Sequence, residues 1–103
     1  MDEPLASYQV TRSPDGTAVV AISGELDMST VDELANELRP VLADAPSRLI
    51  VDVSAVSFAD SSAIALWVRW SGSVSDFELR DPPPLLRRVL ATMGLTTKLG
   101  VAA

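Results

Sequence analysis

The segment SFADSSAIALWV, Ser57 to Val68, places two hydroxyls directly after a carboxylate and directly before an apolar run. Three chemistries could use that order. Aspartate and serine side chains accept the orphan backbone N–H groups of a starting helix. A serine at a helix start can also carry a phosphate, whose charge of about −1.5 to −2 and three acceptor oxygens suit the helix dipole. A nucleophilic serine would need a base beside it, and the chain has no histidine. Lys98 is the sole lysine, and nothing in the sequence ties it to Ser61. Capping is the plain local reading of Asp60, Ser61 and Ser62. Phosphorylation is compatible with it and would build a dense anionic patch beside Asp60.

Other residue groups offer less. Asp27, Asp52 and Asp60 stand near strand ends, where hard oxygen ligands could gather a magnesium ion. Loop and helix capping explains them more simply, so no metal is expected. Trp67 and Trp70 lie three apart, and core packing is the better account of at least one; the other could serve a protein interface. Arg87 and Arg88 read as a solvated helix face. No glycine-rich phosphate loop of the G-x-x-x-x-G-K type is present, and no cofactor is implied.

Composition narrows the function classes further. Without cysteine there is no thiolate or disulfide chemistry, and a reducing cytoplasm is the natural setting. Without histidine the commonest general base and metal ligand are missing, so the chain is not expected to be an enzyme. A net charge of −6 opposes a nucleic-acid partner. The longest apolar run, AIALWV, is far too short for direct membrane insertion, and no secretory leader is expected. A length of 103 residues predicts one domain over 1–103 with a modest core.

The elements that must position these residues follow from periodicity. Tyr8–Thr11 and Thr17–Ser23 read as a hairpin around the turn SPDG. Thr30 and Glu33 form a capping box at the head of a helix whose apolar face is Val31, Leu34, Ala35, Leu38, Val41 and Leu42. Pro40 should bend or end it. Arg48–Val53 is a covered central strand, SAVSFAD a connecting loop, and Ser61 to about Trp70 the next helix. SGSVS breaks it, and Asp76–Arg80 is a short strand. The prolines 82–84 open a last helix with Leu85, Leu86, Val89, Leu90 and Met93 on one face and Gly94 as its stop. The tail LTTKLGVAA shows no clear element. The order β-β-α-β-α-β-α implies an α/β fold: a mixed, mostly parallel sheet of about four strands, with about three helices mainly on one face. A covered face and an acidic surface predict a monomer.

In three segments the chain resembles the STAS family, specifically its single-domain anti-sigma factor antagonists. GELDMST (24–30) is similar to the family's turn from second strand into first helix. LIVDVSAVSFADSSAIAL (49–66) is similar to its central strand, phosphorylation loop and second helix. FELRDPPPLLRRVLATMGL (77–95) is similar to its last strand and helix. The resemblance implies a STAS-like fold and a switch. The unphosphorylated form would bind an anti-sigma factor that is also a serine kinase and so release a sigma factor. Phosphorylation of Ser61, or alternatively Ser62, would end that, and a PP2C-type phosphatase would reverse it. The partner surface it implies comprises Asp27, Ser29, Thr30, Asp60, Ser61, Ser62 and Ala63. One departure stands out: Ala63 replaces the glycine usual after D-S-S or D-S-T. Alanine there stiffens the first turn by about 1 kcal/mol of propensity and is expected to set a methyl in the kinase's path. The alternative reading is a STAS subunit of a lipid-import ABC transporter, stabilising its ATPase and needing no switch serine.

Overall fold

The computed structural model describes residues 6–102. Four strands form one sheet in the order β1-β2-β3-β4: β1 Ala6–Arg12, β2 Thr17–Leu26, β3 Arg48–Ala59 and β4 Phe77–Arg80. β1 and β2 are antiparallel, while β2–β3 and β3–β4 are parallel. Four helices connect and follow them: α1 Met28–Glu37, α2 Arg39–Ala43, α3 Ser61–Ser73 and α4 Pro84–Thr92. The mixed sheet and the element order are as the periodicity predicts. The fourth helix arises because Pro40, lacking an N–H, cannot continue the α1 ladder; the chain restarts as α2 with Pro40 in its first turn.

Alternation along the strands decides which face is covered. Ala18, Val20 and Ile22 of β2 and Leu49, Val51 and Val53 of β3 are buried in one apolar cluster with Val31 and Leu34 of α1, Trp67 of α3 and Leu90 of α4. The intervening Val19 and Ala21 point to the other face, as do Ile50 and Asp52, and stand outside that cluster. Both tryptophans are buried, Trp67 completely, so neither is an exposed anchor. The indole N–H of Trp67 has no hydrogen-bond partner among the described residues.

Several boundaries differ from the sequence expectation; α3 runs through Ser71 and Gly72 to Ser73, past the break expected at SGSVS. β3 does not stop at Val53 but runs to Ala59, because irregularities in its pairing with β2 let SAVSFA stay in the sheet. β2 likewise extends to Leu26. The tail is docked: Leu99 is completely buried, its carbonyl accepts from Leu79 N–H at 2.8 Å, and Gly100 turns the chain with φ +62°.

Candidate functional site

β2 and β3 run in parallel and end in register, Leu26 beside Ala59. Each then enters a helix through an aspartate, Asp27 into α1 and Asp60 into α3. Adjacent strands lie about 4.8 Å apart, so the two helix starts stand side by side at the same sheet edge. They are tied together by Asp60 N–H donating to the Leu26 carbonyl at 3.1 Å.

The two caps are near-copies. Asp27 (φ −108°, ψ −176°) and Asp60 (φ −98°, ψ −172°) are both extended. Asp27 Oδ1 accepts from Ser29 N–H at 3.0 Å and Ser29 Oγ at 2.9 Å. Asp60 Oδ1 accepts from Ser62 N–H at 2.9 Å and also from Ser62 Oγ. The shared pattern is D-x-S, and it was present in the sequence as DMS and DSS. At the first helical position of each stand Met28 and Ser61, both exposed.

This corrects the capping box expected from Thr30 and Glu33. Asp27 is the N-cap and Thr30 is the third helical residue. The Thr30 backbone N–H donates to Asp27 Oδ1 at 3.0 Å, while its hydroxyl accepts from Asp27 N–H at 2.9 Å and donates to the Glu25 carbonyl at 3.0 Å. The Thr30 backbone N–H, followed by the Ser29 hydroxyl, holds the Asp27 carboxyl below its ordinary value of 3.8.

The structure sorts the two serines. Ser62 is half-buried and its hydroxyl is spent on Asp60. Ser61 is exposed, and its hydroxyl has no hydrogen bond among the described residues. Of the two serine hydroxyls, that of Ser61 is thus the exposed and unengaged one among the described residues. Thr30 is buried and braces the loop from within. Ala63 is completely buried, so its methyl packs into the core; the expectation that it lies in a kinase's path is corrected. Helical geometry explains this, since the third helical residue points back over the sheet while the first points out. Asp52 is elsewhere: its Oδ1 accepts from Ser54 N–H at 2.9 Å and Ser54 Oγ at 2.7 Å, on the uncovered sheet face. Among the described residues no three carboxylates gather as a cation site, and no helix is long and apolar enough to cross a membrane.

Sequence reasoning missed Phe58. The sequence pattern places it in a loop, whereas it is paired in β3 beside Glu25 and is exposed two residues before Asp60.

A mixed four-strand sheet with paired Asp-capped helix starts at the ends of β2 and β3, one of them presenting the exposed Ser61, defines an α/β domain of STAS-like class. The comparisons with known proteins agree with that class. The chain belongs to the STAS family: residues 10–101 match the family described as "Mlab, STAS domain". It is 32% identical over 98 residues to the anti-sigma-F factor antagonist RsfB of Mycobacterium tuberculosis, covering 92% of this chain and 80% of that one. The structure of an anti-sigma factor antagonist from Mycobacterium paratuberculosis superposes with a TM-score of 0.84 at 29% identity, over 93% of this chain and 84% of that one. The Bacillus cell fate determinant SpoIIAA in its phosphorylated form shares the fold, with a TM-score of 0.72 at 24% identity over 94% and 92% of the two chains.

Proposed function

We propose that this chain is an anti-sigma factor antagonist whose binding is switched by phosphorylation of Ser61. The unphosphorylated form occupies an anti-sigma factor that is also a serine kinase, and a sigma factor is thereby released. The kinase transfers the γ-phosphoryl of ATP to Ser61 Oγ, with ADP leaving and the hydroxyl proton lost. A PP2C-type phosphatase hydrolyses the ester and resets the switch. The acting surface is formed by Asp27, Ser29, Asp60, Ser61 and Ser62, with Thr30 and Ala63 holding it from beneath.

The observation that carries this reading is the contrast between the two hydroxyls. Ser62 is engaged by Asp60, and Ser61 is exposed at the first position of α3. A phosphate there would add about −1.5 to −2 to a surface already holding Asp27 and Asp60. It need not disturb the helix, because a helix N-terminus accepts negative charge. The two mycobacterial relatives named above are anti-sigma factor antagonists, which favours this reading over the transporter subunit.

The test is a calorimetric titration of the purified anti-sigma kinase with wild-type chain, Ser61→Ala and Ser61→Asp. Ser61→Ala should bind as wild type does and Ser61→Asp at least tenfold more weakly. Equal affinity for all three would sink the switch.

A further inference from the structure

Helix α4 is apolar on two sides. Leu86 and Leu90 are buried against the sheet, as an amphipathic helix requires. Leu85, Val89 and Met93, spaced by four, form a second stripe that is exposed at 72%, 39% and 53%. Phe58 continues it from β3, exposed at 52%. Val56, Phe58, Pro83, Leu85 and Val89 line one shallow groove of about 150 Å³. The β3 edge behind it is open, because pairing with β4 ends at Asp52 beside Arg80. Core packing explains none of these exposed side chains.

We propose that this strip is a second half of the landing surface for the anti-sigma factor, receiving an apolar segment of that partner with an acidic residue set against Arg88. The inference rests on the reading of Ser61 given above. Three observations select this occupant. The strip is continuous with the switch, since Phe58 stands three residues before Ser61 in the same strand-to-helix passage. Its area is too small to act alone: exposed fractions of whole-residue areas of about 150–200 Å² give roughly 400 Å², half of the ~800 Å² that each partner of a standard interface contributes. A second copy of the chain would thus not be held by the strip by itself, whereas a partner already seated at Ser61 gains it as an extension. The third is charge. The exposed charge flanking the stripe on α4 is Arg88, which makes no ion pair among the described residues. One arginine on a chain of net charge −6 suits an acidic protein segment and not an anionic lipid surface.

The experiment titrates one purified anti-sigma factor that binds the wild-type chain, by calorimetry, with Leu85→Ser/Val89→Ser, with Arg88→Glu and with Ser61→Asp. Circular dichroism confirms that each variant keeps its helix content. The double variant should bind at least about tenfold more weakly, the scale of an interface anchor, and Arg88→Glu several-fold more weakly. Unchanged affinity of both strip variants, with Ser61→Asp still impaired, overturns the strip and leaves the switch standing. Loss confined to the strip variants keeps the strip and removes the switch. Should sedimentation show wild-type dimers that the double variant abolishes, the occupant is a second copy and the proposal is overturned.

Discussion

Exchanging Ser61 and Ser62 in turn for alanine should separate a switch residue from a structural one. Ser62 Oγ donates to the Asp60 carboxylate in a half-buried setting. Hydrogen bonds to charged groups contribute about 1.5–3 kcal/mol, and partial exposure brings this one to ~1 kcal/mol. Ser61 makes no such bond among the described residues, so its removal should stay within about 0.5 kcal/mol. Alanine's better helix propensity, at most ~0.5 kcal/mol, acts alike in both variants and cancels in their difference. For a domain of this size about 1 kcal/mol moves Tm by roughly 4–8 °C. Thermal unfolding should therefore place Ser62→Ala about 5 °C below Ser61→Ala. Intact-mass measurement after incubation with kinase and ATP should show phosphate on Ser62→Ala and none on Ser61→Ala. A Tm order that is reversed or level, or a phosphorylated Ser61→Ala chain, would refute the assignment of roles to the two hydroxyls.

Three further perturbations probe the scaffold. Gly100 has φ +62° and an added Cβ would collide with the Phe77 carbonyl oxygen, whereas Gly94 at φ +71° faces open space. Gly94→Ala should lose about 1–2 kcal/mol from the left-handed conformation alone, and Gly100→Ala distinctly more in urea unfolding; equal losses would contradict the docked tail. The Asp27 carboxyl is held low by the Thr30 N–H and the Ser29 hydroxyl, so its contribution is present above the ordinary value of 3.8 and is lost as pH falls through the lower folded-state value. Asp27→Asn should accordingly flatten the fall in urea midpoint below about pH 4, and identical slopes would count against the cap. On α4, Leu90→Ala should cost about 2–5 kcal/mol because the side chain is wholly buried, while Leu85→Ala should stay within about 0.5 kcal/mol; similar losses would mean the two faces of α4 are misassigned.

Much of this arrangement was legible in the residues. Alternation in Thr17–Ser23 and Arg48–Val53, the four-residue spacing of Leu34 and Leu38, and the proline-opened last helix all express local periodicity. What was not legible depends on long-range pairing. SAVSFA has the polar spacing of a loop, and only its pairing with β2 across an irregularity keeps it in the sheet. Thr30 and Glu33 satisfy the capping-box pattern locally, but Asp27 cap geometry places the helix start three residues earlier. The orientation of Ala63 follows from that same geometry at Asp60, because shifting a helix start by one residue turns its side chains by about 100°. The free hydroxyl at Ser61 has the same origin: DSS alone offers two equivalent serines, and the cap distinguishes them.

The placement of that hydroxyl also bears on how the proposed switch would be read. A phosphate on Ser61 would sit at the positive end of α3, so the fold has no cause to reject it. Its near neighbours are carboxylates, and Asp60 is already committed to Ser62. With no arginine recorded in ion pairing to either Asp27 or Asp60 among the described residues, the chain offers the phosphate no cation to draw the loop into a new shape. The added charge would therefore stay at the surface, and its cost would fall on a partner that must desolvate and approach it. This makes a firm structural demand: phosphorylated and unphosphorylated chains should give nearly superimposable amide spectra outside the Asp27–Ser29 and Asp60–Ala63 turns. Shifts spread through the core residues of β2 and β3 would mean that the switch works by refolding, and the electrostatic account would have to be abandoned.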